Sequence, residues 1–412
     1  MSFYNGSIKC REFQPNSNST NYRTEFRLPS DKVYLANMRV LNVGVKGVAG
    51  GEKLNQLVGS LGVIKSLTLL DGNEQLDASD NFNMWAGWKS YNTTNDKNLS
   101  INYRLHNNAM GQVTDGSLNT GEVVKPLRTQ VDTTDNVANT PKCWISLSDY
   151  LPFLEASNYL PTNVFRNLRL VIEYETDVDN ITPNGTDPLS TLEPFLVVDE
   201  LENPDIAMQV MKEYQGVTFR PIENSRVVLP ALVPTVGAPN PTQAQTFTIQ
   251  GFNDKTVDRL LLVKEQTATK SPTMGRLGSV GQFQETVQYN VNGANLLQGA
   301  GLTTRNQTLA MLYDLYGDCD GLMPNTWLSE ASNNYEQASD VGTQLEYAGV
   351  NIGQFVQNFQ LQYGRTGQFD STTGATPQSN LLLNQQLNLQ LFAEVQKQLS
   401  MRGDGSYAIR YL

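Results

Sequence analysis

Three short stretches recur in the same order at one spacing, and this recurrence constrains the fold more than any single motif. Phe26-Arg-Leu-Pro29 leads into Lys32-Val-Tyr-Leu-Ala-Asn-Met-Arg-Val-Leu41, and Phe247-Thr-Ile-Gln-Gly-Phe252 leads into Lys255-Thr-Val-Asp-Arg-Leu-Leu-Leu-Val263. Leu69-Leu-Asp-Gly-Asn-Glu-Gln-Leu76 is echoed by Asn290-Val-Asn-Gly-Ala-Asn-Leu-Leu297, and Leu168-Arg-Leu-Val-Ile-Glu-Tyr174 by Leu389-Gln-Leu-Phe-Ala-Glu-Val395. The offsets 247 − 26, 292 − 71 and 389 − 168 all equal 221. Strand-like landmarks kept in register across a chain of 412 residues predict one β-domain built twice.

The local pattern agrees. Leu168, Leu170, Ile172 and Tyr174 alternate with Arg169, Val171 and Glu173, and Leu387 to Val395 alternates in the same way. Period two of this kind marks strands with one buried face. Asp71-Gly72 and Asn292-Gly293 supply the left-handed backbone of tight hairpin turns. Helical signals are short. Asn203-Pro204 reads as an N-cap followed by Pro at the first helical position, opening a helix to about Glu213. Ser148–Ala156, interrupted by Pro152, and Thr304–Tyr316 are the other candidates.

Two long irregular regions, about 77–142 and about 299–342, each follow the glycine turn of their half. Loops of that length are functional or are contact surfaces. Residues 178–194, rich in Pro, Gly, Asn and Asp, read as a linker between a first domain over 1–177 and a second over 195–412.

Composition removes several functional classes. The chain carries a net charge of −11 with only 17% charged residues, against the concentrated basic surface that tight nucleic-acid binding requires. Its most basic stretch, Lys255 to Arg276, reads as a solvated face. No N-terminal apolar core of a signal peptide is visible, and apolar runs such as Leu260-Leu-Leu-Val263 are far too short to span a bilayer, so a soluble chain is expected. Cys10, Cys143 and Cys319 are few and widely spaced, as in reduced thiols. Triplets such as Asn92-Thr-Thr and Asn306-Gln-Thr fit an Asn/Thr-rich composition without implying glycosylation.

The search for chemistry yields no catalytic constellation. His106, the single histidine, lies in the Asn-rich first loop region and reads as an exposed loop residue, which argues against a Ser-His-Asp triad or a His-rich metal site. Asp314, Asp318 and Asp320 before Gly321 invite a calcium reading, but Tyr316 and Trp327 fall where an EF-hand needs its first and last ligands. Gly275-Arg-Leu-Gly278-Ser-Val-Gly281 has the wrong spacing for a phosphate-binding loop. Arg402-Gly403-Asp404, followed by Gly405, reads as a turn between the last strands. Glu173, Glu175, Asp199 and Glu200 lie beside strand signals without nominating an acid and a base. The expectation is a protein that is not an enzyme and takes no cofactor or metal.

Ile145-Ser-Leu-Ser-Asp-Tyr-Leu-Pro-Phe-Leu154, Leu160-Pro-Thr-Asn-Val-Phe165, the strand Leu168–Tyr174 and the entry Pro194-Phe-Leu-Val-Val-Asp-Glu-Leu201 together carry a resemblance. With the doubled architecture, the chain resembles the double jelly-roll major capsid proteins of eukaryotic DNA viruses, among them virophages, polinton-like viruses and nucleocytoplasmic large DNA viruses. The resemblance implies an all-β fold of two tandem eight-stranded jelly-roll sandwiches with long inserted loops and a few short helices. It implies a homotrimer, a pseudo-hexameric capsomer, that tiles the facets of an icosahedral virion around double-stranded DNA. Neighbouring capsomers and minor capsid and penton proteins would be its partners, with no sequence-specific nucleic-acid contact. The long loops would form outward towers, with Trp85, Trp88, Tyr91, Trp327 and Tyr335 as candidate trimer or tower anchors. The alternative is that these aromatics fold back onto their own barrel. Ser2–Asn21 would be an arm or a frayed first strand. The competing functional reading is a receptor- or carbohydrate-binding tandem sandwich such as a viral fibre or lectin-like module; a polysaccharide-active enzyme is weaker for want of a carboxylate pair.

Overall fold

The computed structural model describes residues 8–19, 23–46, 58–93, 143–181, 190–191, 193–231, 242–266, 284–303, 307, 310–311, 314–315, 347–366 and 386–412. In the first half the strands are β1 (Ile8–Phe13), β2 (Ser17–Ser19), β3 (Arg23–Arg27), β4 (Val33–Leu35), β5 (Arg39–Val43), β6 (Val45–Lys46) and β7 (Ile64–Asp71). There follow β8 (Glu74–Asp80), β9 (Cys143–Ser146), β10 (Tyr159–Pro161), β11 (Leu168–Tyr174), β12 (Ser190–Thr191) and β13 (Phe195–Leu201). One sheet has β13 at its centre, with β1 along one edge and β5, then β9, beyond the other; β4 and β10 extend it. The facing sheet runs β3–β11–β7–β8, with the short β2 outside β3.

The second half repeats this order. Its strands are β14 (Gly216–Phe219), β15 (Ile222–Leu229), β16 (Thr242–Thr248), β17 (Lys255–Gln266), β18 (Gln284–Val291) and β19 (Ala294–Asn295). They continue with β20 (Tyr347–Val356), β21 (Phe359–Thr366), β22 (Leu387–Val395), β23 (Lys397–Met401) and β24 (Tyr407–Tyr411). One sheet runs β15–β22–β17–β20 and the other β16–β21–β18–β19. In both halves the first, eighth, third and sixth of eight strands form one sheet, and the second, seventh, fourth and fifth form the other. That interleaved, antiparallel order is the jelly roll.

Alternation along each strand builds the two cores. Phe26, Val40, Leu69, Leu170 and Leu196, from both sheets of the first half, share one buried cluster. Leu260, Tyr289, Phe359, Leu361 and Leu391 do the same in the second. Each such side chain contributes about 1.5–3 kcal/mol on burial, and between them lie outward polar residues such as Gln360 and Gln362.

Several expectations from the sequence change here. Phe195–Leu201, expected to open the second domain, is the central strand of the first jelly roll's sheet. Residues 178–194 are therefore not an interdomain linker but the connection between the last two strands of that jelly roll. Its Pro/Gly/Asn composition marks a turn-forming connection and says nothing about which strands it joins. The junction between the halves is Glu202–Gln215, which contains the helix Pro204–Glu213; the Asn203 side chain caps it by accepting from the amides of Asp205 and Ile206. The irregular region placed at 77–142 also begins too early. Asp77–Asp80 completes β8, and Phe82–Thr93 is a helix whose Phe82, Met84 and Trp85 are buried. Pro152 starts the helix Pro152–Ala156 at its first turn instead of interrupting one. Of Thr304–Tyr316, the described residues Gln307, Ala310, Met311, Asp314 and Leu315 are helical.

The third echo pairs strands that are not equivalent. Leu168–Tyr174 is the seventh strand of the first jelly roll, whereas Leu389–Val395 lies in β22, the eighth of the second. The true counterpart is β21, since Leu170 pairs with Phe26 and Leu361 with Phe247. The first echo holds at 221 for Phe26 and Phe247. In the next strands the structural offset is 220: Val40 and Leu260 both face the core and pair with Leu196 and Ala393.

The small β14–β23–β24 sheet straps the halves together. Gly216 begins β14 at φ +104°, and a Cβ there would lie 2.1 Å from the carbonyl oxygen of Leu399 on β23. Gly216→Ala is therefore expected to cost about 2–4 kcal/mol, from left-handed strain plus overpacking. Denaturant unfolding that shows a loss under about 0.5 kcal/mol, the range of neutral surface changes, would contradict this packing.

Candidate functional site

The most extensive constructed surface is the seam between the two jelly rolls. The outer face of the β15–β22–β17–β20 sheet turns Leu261, Val263 and Phe392 into the apolar cluster that also holds the first jelly roll's core. The Trp85 ring, on the helix after β8, lies 5.7 Å from the Phe392 ring at 36°. An aromatic run continues along the seam, with Phe153 against Phe219 at 5.2 Å and Phe165 against Tyr407 at 5.4 Å. The Tyr407 hydroxyl donates to Asp71 Oδ2 at 2.9 Å, which ties the C-terminal hairpin to the β7–β8 turn. At the other end of β24, the ring of Tyr411 lies 4.4 Å from both Lys255 Nζ and Lys397 Nζ, and its hydroxyl donates to Glu223 at 2.6 Å.

Buried ionisable groups cluster along this seam. Asp77, 2% exposed, accepts from the amides of Phe153 and Ala78, each at 2.8 Å. Burial pushes its carboxyl up to about 7, against the pull of those amides and of Lys397. A cleft of about 700 Å³ beside Trp85 is lined by Lys89, Asp149, Glu155, Arg259 and Glu394, among others. Lys89 donates to the Asp149 carbonyl, and Arg259 lies 3.8 Å from Glu394. Burial lowers the Lys89 ammonium and raises the Asp149 and Glu394 carboxyls. Lys89 of the first half and Glu394 of the second attract one another across the cleft while partly stripped of water. Among the cleft's described lining residues there is no histidine, cysteine or serine. Next to the helix that carries Trp85, Glu175 accepts from Asn83 at 2.7 Å and from the amides of Thr176 and Asp177. Burial pushes its carboxyl up, but these donors and Lys65 carry it below the usual range.

Of the aromatic anchors singled out in the sequence, Trp85 takes the fold-back position: it is 4% exposed within its own chain. Trp88 and Tyr91 stand on the same helix. Trp327, Tyr335 and His106 lie outside the described residues, as do Asp318 and Asp320. Asp314 is described, and its carbonyl accepts from Asn351 at 3.4 Å. Among the described residues no group of three or more His, Cys, Asp or Glu is placed to hold a metal ion, and no helix is long and apolar enough to cross a membrane.

The two long insertions occupy equivalent connections, between the fifth and sixth strands of each jelly roll: β8 to β9 and β19 to β20. Antiparallel pairing brings the ends of β1, β5, β8 and β11 to one end of the first sandwich. The Arg402-Gly403-Asp404 turn joins β23 to β24 and is exposed, with Asp404 Oδ1 accepting from the amide and hydroxyl of Ser406 at 2.9 and 2.7 Å. Tyr407, beside that turn, touches Asp71 at the β7–β8 turn. The tripeptide therefore sits at the end of the first jelly roll away from the insertion. Sequence reasoning missed the seam residues Leu261, Phe392 and Asp77. Phe392 is the one that could have been found, as a large apolar residue at a polar-phase position of its strand.

No protein-family model matches the sequence, and no curated protein matches it either. Solved structures match over the whole chain. PBCV-1 VP54, as fitted into a reconstruction of the virophage Sputnik, superposes with a TM-score of 0.62 at 10% identity, covering 100% of this chain and 99% of that one. The mavirus major capsid protein gives 0.55 at 8% identity, covering 100% and 92%. The Faustovirus major capsid protein gives 0.51 at 10% identity, covering 98% and 92%. At such identities the likeness is one of fold: the chain has the double jelly-roll architecture of viral major capsid proteins, and those neighbours are structural proteins, not enzymes.

Proposed function

We propose that this chain is the major capsid protein of a DNA virus, a structural subunit whose work is done by its surfaces. The observation that carries the reading is the complete eight-strand order repeated twice in one chain, together with the full-length superposition on major capsid proteins. Three copies would close around a threefold axis, so that six jelly rolls make a near-hexagonal block able to tile an icosahedral facet around double-stranded DNA. Closed rings of this kind arise when a head-to-tail contact repeats with a rotation that closes. The two insertions would form the outer towers, and Trp88, Tyr91, Trp327 and Tyr335 are the anchors we assign to contacts between subunits there. Neighbouring blocks and minor capsid and penton proteins would be its partners, and the virion its location.

The test is mass in solution by light scattering, followed by negative-stain imaging. The expected result is a compact particle of about 137 kDa, from 3 × 45.7 kDa, with a hexagonal outline. A species of 45.7 kDa at micromolar concentration would overturn the trimer.

A further inference from the structure

The seam within the chain covers a row of positions whose counterpart in the first jelly roll is only partly covered. In the second jelly roll, Phe392 pairs with Leu261 and Leu261 with Gly349 across β22, β17 and β20. They lie on the face opposite the core row Ala393, Leu260 and Val350. Phe392 and Leu261 are 2% and 1% exposed because the first jelly roll, with Trp85, covers them. In the first jelly roll the core row is Leu196, Val40 and Ile145. One step out of phase, on the opposite face, stand Phe195, Leu41 and Trp144, paired side by side across β13, β5 and β9. The steps are the same in both halves: one residue back on the central strand, one forward on the next, one back on the edge. Phe195 and Leu41 are half-buried and Trp144 is 37% exposed.

We propose that Phe195, Leu41 and Trp144 form the docking face for a second copy of this chain. Its occupant is the side of the neighbour's second jelly roll that carries β19 and the following segment with Leu296 and Leu297. That side stands in the position from which the first jelly roll, after β8, covers Phe392 and Leu261. The contact between copies would thus repeat the contact already made within each chain, and a head-to-tail contact of this kind closes a ring when its rotation does. The adjoining outer face of the β16–β21–β18–β19 sheet suits this role. Its rows Ala244–Gly364–Thr286, Thr246–Gln362–Gln288 and Thr248–Gln360–Asn290 carry no charge, so closing over it desolvates no ion. The matching face of the first jelly roll carries Arg23, Glu25, Arg169 and Glu173.

This inference rests on the trimer reading, and one series of measurements separates the two. Wild type, Leu41→Gln/Trp144→Ser and, as a control on the junction helix, Met208→Ser are compared by light scattering, circular dichroism and melting. The expected result is a trimeric wild type and control, with the double variant at 45.7 kDa and an unchanged β spectrum. A double variant that stays trimeric overturns the docking face and leaves the trimer standing. A monomeric wild type overturns the trimer itself. If the double variant does not fold, Trp144→Ser alone is tested with hydrogen exchange of residues 143–146, an edge strand. Exchange that is no slower in the wild-type trimer than in dissociated chains counts against the proposal.

Discussion

Trp85→Ala is expected to lower the free energy of unfolding by about 3–5 kcal/mol, the range for deleting a buried aromatic side chain. The indole is 4% exposed and packs on Phe392 across the seam, so its loss empties a space that neither jelly roll can collapse into alone. Phe392→Ala should cost a similar amount. The double variant should lose clearly less than the sum, because the two rings share one contact. Urea denaturation of the four proteins measures both quantities. A Trp85→Ala loss below about 1 kcal/mol, or strictly additive effects, would mean that the ring does not bridge the halves.

Stability should fall as the pH rises through neutrality, with Asp77 as the main cause. Its carboxyl is pushed to about 7 in the folded chain against an ordinary value of 3.8. A raised folded value means the native state holds the proton more tightly than the unfolded chain. The stabilisation is therefore complete below about pH 4 and lost as the pH climbs through about 7. The full difference of roughly 3 units corresponds to about 4 kcal/mol. Asp149 and Glu394, also raised by burial, act in the same direction. Glu175 acts in the opposite one, since its carboxyl is held low and its contribution disappears only in acid. Asp77→Asn should melt near the wild type at about pH 4 and distinctly above it at pH 8. Melting curves that stay parallel across that interval would show that the Asp77 carboxylate is not paying a burial cost.

Much of this architecture is legible in the residues. The predominant alternation of Leu168–Tyr174 and Leu387–Val395, the Gly72 and Gly293 turns and the Phe26/Phe247 match are local signals, and all lie in or beside strands of the two jelly rolls. Register is less legible. Aligning the two turn glycines gives an offset of 221, yet the tight loops are Gly72-Asn73 and Asn292-Gly293, one residue apart in phase. Because side chains alternate with period two, that single step assigns Leu261 the place of Val40 and hides which face of β17 meets the core. The same limit made Leu389–Val395 look like the partner of Leu168–Tyr174, since any half-buried strand resembles any other.

The sequence by itself determined that the chain is antiparallel β, doubled, with two long insertions in equivalent places and no local motif for metal, nucleotide or nucleophile. Those properties are written in short-range patterns of polarity and turn residues. Only the tertiary structure decided that Phe195–Leu201 belongs to the first jelly roll, that Trp85 closes the seam, that Asp77 is buried beneath the helix at Pro152, and that Leu41, Phe195 and Trp144 form one row on the face away from the core. Each of these depends on pairing between residues far apart in the chain. Burial and electrostatics belong to the assembled surfaces, and a strand's own residues do not state which neighbour will cover it.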